Sequence, residues 1–463
     1  MAVAYSPGGQ VLAEGGSDGQ VRLWSTVTGA PLAVIPQPQP VTSLTWDGPG
    51  LLAAGDADGY VRAWRLPVPP LMTGTPAYTL AFSPGGGALA VGSTGLQLWN
   101  PATRHLTASA AIPRAVPGDI VNAVAFSPGG TLISTGYGDG RVQLWRRSAG
   151  LVPLGTPQTA SQASPSAGAN AVEFVAFNSR GTILASGADD GIVRLWNIAN
   201  PARPVLVSTI RASVDAVFSV AFSPSGRILA AASADDKVRL WNVTNPAAPV
   251  LLGKALTGPV NTAYSVAFSP RGHLLAVGSA DRDVRLWDIS DPARPRRIGP
   301  VLAGPSGYVY SVAFGPGGRV LAAGNTDGSV WLWNLADPAH PGLIATLTGP
   351  TGHVFSVGFG HGGRTVAAAD SSGLVWLWNI QAGAAARGVC AMAGQPLARA
   401  EWHVYVPGLP YAPPCRLFRL CGGTMARESY AGQAAGQLRQ MRASARSSLV
   451  PVPVLMARTR SAP

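Results

Sequence analysis

Nine tryptophans, Trp24, Trp64, Trp99, Trp145, Trp196, Trp241, Trp287, Trp333 and Trp378, recur 35 to 51 residues apart, each in nearly the same frame. Such periodicity constrains a fold strongly, because every unit must bury its apolar surface against copies of itself. The frame opens on an apolar run: VFSVAFSP at Val217–Pro224, AYSVAFSP at Ala263–Pro270, VYSVAFGP at Val309–Pro316 and VNAVAFSP at Val121–Pro128. A second run follows, such as ILAAAS at Ile228–Ser233 or LLAVGS at Leu274–Ser279, and a third ends on the tryptophan, as in VRLWN at Val238–Asn242.

Short runs of β-branched, aromatic and small apolar residues bounded by Pro-Gly or Asp-Gly read as strands joined by tight turns. Proline fixes φ in the first turn, and glycine supplies the positive φ of the second. The first two strands are apolar on both faces, as expected of a small sheet wedged between two others like it. A fourth, more polar strand falls in segments such as Val250–Leu256 and Leu343–Leu347, as suits an outer edge. Four strands per roughly 45 residues, repeated radially, is an all-β propeller pattern.

Over residues 1–380 the chain resembles the WD-repeat family, on the strength of the nine tryptophans and an aspartate turn in most units. Asp18, Asp58, Asp139, Asp190, Asp235, Asp281 and Asp327 each stand three residues before the first valine of the third strand. The resemblance implies four-stranded blades in which this aspartate holds the turn and joins a network with a serine, the tryptophan indole and a histidine. The family's Gly-His survives only at His353, unit three (Ala77–Asn100) lacks the Asp turn, and unit nine has Ser372 in its place. An incomplete network leaves more to packing.

Nine units exceed the usual four to eight blades. Units four to nine are evenly spaced and closely alike, whereas the first three have drifted. The reading is therefore a seven-bladed ring from units three to nine (66–380), with residues 1–65 as two extra repeats, the remnant of a larger propeller. A single eight- or nine-bladed ring is the alternative. Met1 falls within a first strand, which suggests a fragment or a displaced start. Four units carry an Asx-Pro insertion, at Asn200–Pro204, Asn245–Pro249, Asp291–Pro295 and Asp337–Pro341, expected to protrude in register from one rim. This insertion, with Cys390–Cys415, resembles the WD-repeat regions of large actinobacterial signalling proteins, where an NTPase or helix-turn-helix module is linked to the propeller. Past the last tryptophan, Pro396–Val406 reads as a short helix and Leu409–Cys415 as an extended lid, a helical cap over 381–415 in which Cys390 and Cys415 either pair or stay reduced. Residues 416–463 read as a disordered basic tail.

That tail holds eight arginines against one glutamate, so it supplies most of the formal charge of +12. This speaks against a nucleic-acid groove on the folded body and confines that alternative function to the tail. No apolar run is long enough to span a bilayer, and the N-terminus lacks a signal-peptide pattern, so the cytoplasm is the expected location. There is no P-loop, HExxH or GxSxG elbow. The three cysteines lack zinc-site spacing, the six histidines are scattered, and neighbouring carboxylates such as Asp189 and Asp190 fall at turn positions. No catalytic group, cofactor or metal site is expected, although propeller enzymes with a central site form a further alternative.

One pattern points to binding. The second position of the first strand is aromatic in four consecutive units, at Phe218, Tyr264, Tyr310 and Phe355, and Asn122 stands there in unit four. In a propeller this position lies at the mouth of the central channel, where these rings, joined by Tyr308, would form a crescent. Aromatic clusters are typical anchors for protein partners, and the same rings could equally fill gaps between blades. Trp331 and Trp376 stand where other units have Arg194, Arg239 and Arg285, either as a second aromatic patch or as inter-blade packing. The expected function is a non-catalytic scaffold or sensor module that binds a protein or peptide on the channel face.

Overall fold

A computed structural model describes residues 2–380, apart from short segments at 7–8, 10, 27–28, 30, 38, 48–50, 58, 60, 66–69, 113–118 and 162–170. Among the described residues the chain is all strand, with one short 3-10 turn at His361–Gly363. Asp58, the expected cap over 381–415 with Cys390 and Cys415, and the expected tail over 416–463 lie outside them. Trp64 is described only as part of strand Val61–Arg65.

Units three to eight are four-stranded antiparallel meanders over 79–111, 121–159, 172–211, 217–257, 263–302 and 309–347. Blade 6 shows the logic. Ile228–Ser233 is buried almost throughout, the next strand Lys237–Asn242 is mostly buried, and the outermost, Val250–Thr257, is largely exposed. The apolar runs are continuous because neighbouring blades cover both faces of each inner strand. Ala185, Val193 and Leu195 of blade 5 accordingly share one cluster with Val217, Leu229 and Trp241 of blade 6.

Unit nine supplies three strands, Val354–Phe359, Thr365–Asp370 and Leu374–Asn379. Its fourth is Leu71–Met72, from the chain ahead of blade 3, which pairs antiparallel with Leu374 and Val375. Blade 9 then packs on blade 3. Leu71, Ala367, Ala369 and Val375 share a core with Ala77, Leu80 and Trp99, and Ser356 Oγ accepts the Leu80 N–H at 3.2 Å. The ring therefore closes after seven blades, units three to nine, and no single ring of eight or nine forms. Units one and two make a separate two-sheet wing, in which Val11, Ala13, Val21 and Leu23 pack on Val41, Leu52 and Ala54. The second sheet has three strands because the next strand in the chain, Leu71–Met72, belongs to blade 9.

The aspartate turns are locked differently from the family network. Arginine four residues on takes the carboxylate at Asp190–Arg194 (2.7 Å), Asp235–Arg239 (2.7 Å) and Asp281–Arg285 (2.8 Å), and the same pair joins Asp18 to Arg22. Asp139 binds Arg141, and Asp327 accepts from Ser329 and Ser306. The indoles bond elsewhere: Trp196 to Ser186 Oγ at 3.1 Å and Trp145 to Thr135 Oγ1 at 2.9 Å, while the Trp287 indole has no partner among the described residues. Arginine thus provides the lock that loss of the histidine had been expected to leave to packing. In unit nine the Asp turn is not lost but moved: Asp370 accepts from Ser372 and from the Trp376 indole at 3.2 Å.

The Asx-Pro insertions are exposed, yet they do not stand clear of the rim. Each lies on the outer strand of the preceding blade. Ser208 Oγ of blade 5 donates to Pro246 O at 2.7 Å. Gly253 of blade 6 has φ +60, and a Cβ there would lie 2.2 Å from Ala293 O. Gly155 and Gly299 receive Ala202 and Pro338 in the same way. A side chain would close the space that the incoming carbonyl occupies, which is why glycine stands there.

Candidate functional site

In blades 4 to 9 the second residue of the first strand is skipped by the pairing register, at Asn122, Glu173, Phe218, Tyr264, Tyr310 and Phe355. Each is the extra residue of a β-bulge, a device that re-aims a side chain without ending the strand. The bulges turn these side chains toward the ring axis, where they line an open channel mouth of ≈ 390 Å³ to which all seven blades contribute. That volume lies in the range of small-ligand and side-chain pockets.

The four sequence-identified aromatics come together as an arc. Ring centroids are 5.1 Å apart for Phe218–Tyr264, 4.6 Å for Tyr264–Tyr310 and 5.6 Å for Tyr310–Phe355. Tyr308 joins at 6.4 Å from Tyr264, with 46% of its surface exposed. A fifth ring was not foreseen: Tyr78 of blade 3 stacks on Phe355 at 5.7 Å. Its unit lacks the bulge and has drifted in sequence, although its place before Thr79 matches the others and could have revealed it. Phe218, Tyr264, Tyr310, Phe355 and Tyr78 are half-buried and line the mouth, whereas Tyr308 is exposed and is not among the lining residues.

A second feature of the frame was also missed. The serine after each aromatic accepts a backbone N–H of the next blade: Ser219 Oγ from Val266, Ser265 Oγ from Val312, Ser311 Oγ from Val357, and Ser356 Oγ from Leu80, at 3.0–3.2 Å. These bonds tie blades 6, 7, 8, 9 and 3 together behind the arc and hold its rings in register.

Opposite the arc the lining changes character. Blade 5 presents Glu173 and blade 4 Asn122, whose amide donates to the Glu173 carboxylate at 3.4 Å. Burial, and to a lesser degree the nearby charge of Asp189, push the Glu173 carboxyl up to about 7. Burial and Tyr310 push the Tyr264 hydroxyl up to about 12. The mouth is therefore an aromatic wall facing one poorly solvated acid. A cation seated between them would meet ring faces on one side and a counter-charge on the other.

Trp331 and Trp376 are not part of this mouth. Trp331 stacks on Trp333 and Trp376 on Trp378, each with centroids 6.0 Å apart. Each also lies against the connector from the blade before, where Gly304 and Gly349 leave room for the indole. Their role is inter-blade packing. Among the described residues no group of His, Cys, Asp and Glu side chains could hold a metal ion, and no helix is long and apolar enough to cross a membrane.

Comparison with known proteins follows the same units. The family model for the WD domain, G-beta repeat, matches residues 1–25, 115–146, 163–197, 204–242, 252–288, 298–334 and 342–379, just over half the chain. A curated relative, the "WD repeat-containing protein 91 homolog" of Dictyostelium discoideum, is 26% identical over 212 residues, covering 42% of this chain. The match spans 26% of that relative's own length, about a quarter.

Proposed function

The chain belongs to the WD domain, G-beta repeat family, whose rings are generally protein-interaction scaffolds, and from that premise we propose that it binds a peptide segment of a protein partner at the channel mouth. The observation that carries this reading is the arc of five aromatic rings from consecutive blades, four of them on bulges, facing Glu173 across the mouth. Aromatic anchors in a partly desolvated pocket are typical of binding hot spots. The acid across the channel selects a segment that presents a lysine or arginine. Seating that charge keeps Glu173 ionised, whereas an acidic peptide would meet a like charge.

No catalytic role is assigned to these residues. Glu173 has an elevated pKa, but its partner is an asparagine amide, and the serine hydroxyls that line the mouth, Ser265, Ser311 and Ser356, accept backbone N–H groups of the next blade rather than facing a base. The experiment is fluorescence anisotropy of the full chain against tagged random peptide pools with a fixed central Arg, Lys or Glu. The Arg or Lys pool should bind and the Glu pool should not. Tyr264→Ala/Tyr310→Ala should abolish binding while circular dichroism and melting show an intact ring. Binding retained in full by the double variant would refute the site.

A further inference from the structure

The two ends of the ring differ in charge. Each blade is an antiparallel meander, so its Asp turn falls at the channel mouth, while its first turn and its Asx-Pro connection both fall at the far end. Among the described residues of the ring the carboxylates gather at the mouth end, and only Asp288, Asp291 and Asp337 lie at the far end. Each of these three accepts a backbone N–H of its own connection, from Ser290, Ala293 and Ala339. In other blades the neutral Asn242, Asn245 and Asn334 hold the same turns.

The arginines show the reverse. At the mouth end Arg141, Arg194, Arg239 and Arg285 are each held by an aspartate. At the far end Arg180, Arg227, Arg271, Arg319 and Arg364 occupy the first turns of five consecutive blades, 5 to 9. Arg203, Arg294, Arg296 and Arg297 join them from the connections and the outer-strand start of blades 5 and 7. All are exposed, and none forms an ion pair among the described residues. A guanidinium stays charged at any physiological pH, so this end presents a positive field that nothing nearby cancels.

The field is focused in crevices between blades. One of ≈ 240 Å³ joins the turns of blades 5 and 6, lined by Arg180 and Arg227 with the hydroxyls of Ser179, Thr182, Ser225 and Thr244. Another of ≈ 170 Å³ joins blades 7 and 8, lined by Arg271, His273 and Arg319. Two forked guanidinium groups with hydroxyl donors between them match the oxygens of a phosphate.

We propose that the far end of the ring docks on an anionic lipid bilayer, with phosphate headgroups entering these crevices and the channel mouth left facing solution. Arginines spread over five blades make an area rather than the stripe that tracks a nucleic-acid backbone. Among the described residues no exposed aromatic stands at this end for bases to stack on. Exposed aliphatic side chains do stand there: Val205, Val250 and Leu343, at or next to the starts of outer strands. Basic and aliphatic groups on one surface suit the boundary between headgroups and acyl chains.

The test is co-sedimentation of the full chain with vesicles of phosphatidylcholine alone and of phosphatidylcholine mixed with phosphatidylserine. Each arginine close to an anionic surface strengthens binding about fivefold, so Arg271→Gln/Arg319→Gln should weaken it at least about tenfold. Arg211→Gln/Arg282→Gln removes the same charge from exposed positions at the mouth end and should change binding less than about twofold. Residues 416–463 are present in both variants, so their arginines contribute equally. Both variants should melt as the unmodified chain does, because the substituted side chains are exposed. Equal losses in the two variants, or none in either, overturn the proposal, and so does equal binding to the two kinds of vesicle. A DNA duplex that binds through Arg271 and Arg319 while vesicles do not would assign this end to nucleic acid, which also overturns it.

Discussion

Closure of the ring rests on a strand of two residues, and Leu71→Ala tests how much it matters. Leu71 is 0% exposed and sits among Ala77, Leu80, Leu89, Trp99, Ala367 and Val375, at the junction of blades 9 and 3. Truncating a fully buried leucine costs about 2–5 kcal/mol, from lost transfer energy and the cavity left behind. A two-residue strand can partly relax into that cavity, so about 3 kcal/mol is expected. For a body of this size each kcal/mol lowers the melting temperature by roughly 2–3 °C, so the drop should be on the order of 6–9 °C. Differential scanning calorimetry of the full chain provides the measurement. Leu251→Ala, half exposed on the outer strand of blade 6, is the control and should shift the transition by no more than about 0.5 kcal/mol. If Leu71→Ala melts within a degree of the unmodified chain, Leu71 does not close the ring and the seven-blade argument fails.

Arg285→Met should destabilise by about 3–5 kcal/mol, because it strands the buried Asp281 carboxylate without its partner; urea denaturation at neutral pH provides the check. Burial raises the Asp281 pKa, but Arg285 and Ser279 outweigh it and the net shift is downward. The pair's contribution is therefore present above the ordinary aspartate pKa and fades as pH falls through the lower folded value, so acid titration of melting should be flatter in Arg285→Met. Glu173 shows the opposite sign. Its pKa is raised from 4.5 to about 7, so its contribution is full below pH 4.5 and is lost as pH rises toward 7. Glu173→Gln should therefore melt higher than the unmodified chain at pH 8 and not at pH 4.5, by on the order of 1–3 kcal/mol after allowance for channel water; an equal offset at both pH values would contradict this. Gly253→Ala forces a positive φ on alanine and drives its Cβ onto Ala293 O, so a loss of more than about 1 kcal/mol is expected by calorimetry.

The repeat, the blade composition and the arc were legible because they recur in register: one aromatic after Val217, Ala263, Val309 and Val354 is a pattern that a single sequence displays. The seven-bladed closure could be read from the drift of units one to three, but its agent, Leu71–Met72, could not. Two residues after a proline run carry no strand signal, and their partner lies some 300 positions away. The Asp–Arg lock was visible as a spacing of four yet hidden by the expectation of a histidine network. Tyr78 was missed because its unit lost the flanking frame, and Glu173 because an acid at an aromatic position looks like divergence until the axis brings it opposite the rings. The insertions were taken as protrusions because nothing local shows that Gly155, Gly253 and Gly299 are the seats that receive them.

Those seats give the ring a direction. Four consecutive junctions, from blade 4 to blade 8, are belted by an insertion lying back on its predecessor, whereas the junction of blades 9 and 3 has in its place a two-residue strand, a shared core and the bonds Ser356–Leu80, Ala77–Asp370, Arg104–Leu377 and His361–Pro84. A belt reinforced over most of its circumference yields at its buckle. Opening fluctuations should therefore concentrate where Phe355 meets Tyr78, inside the aromatic arc rather than across from it. The channel wall with the most to offer a guest is then also the wall best able to widen for one.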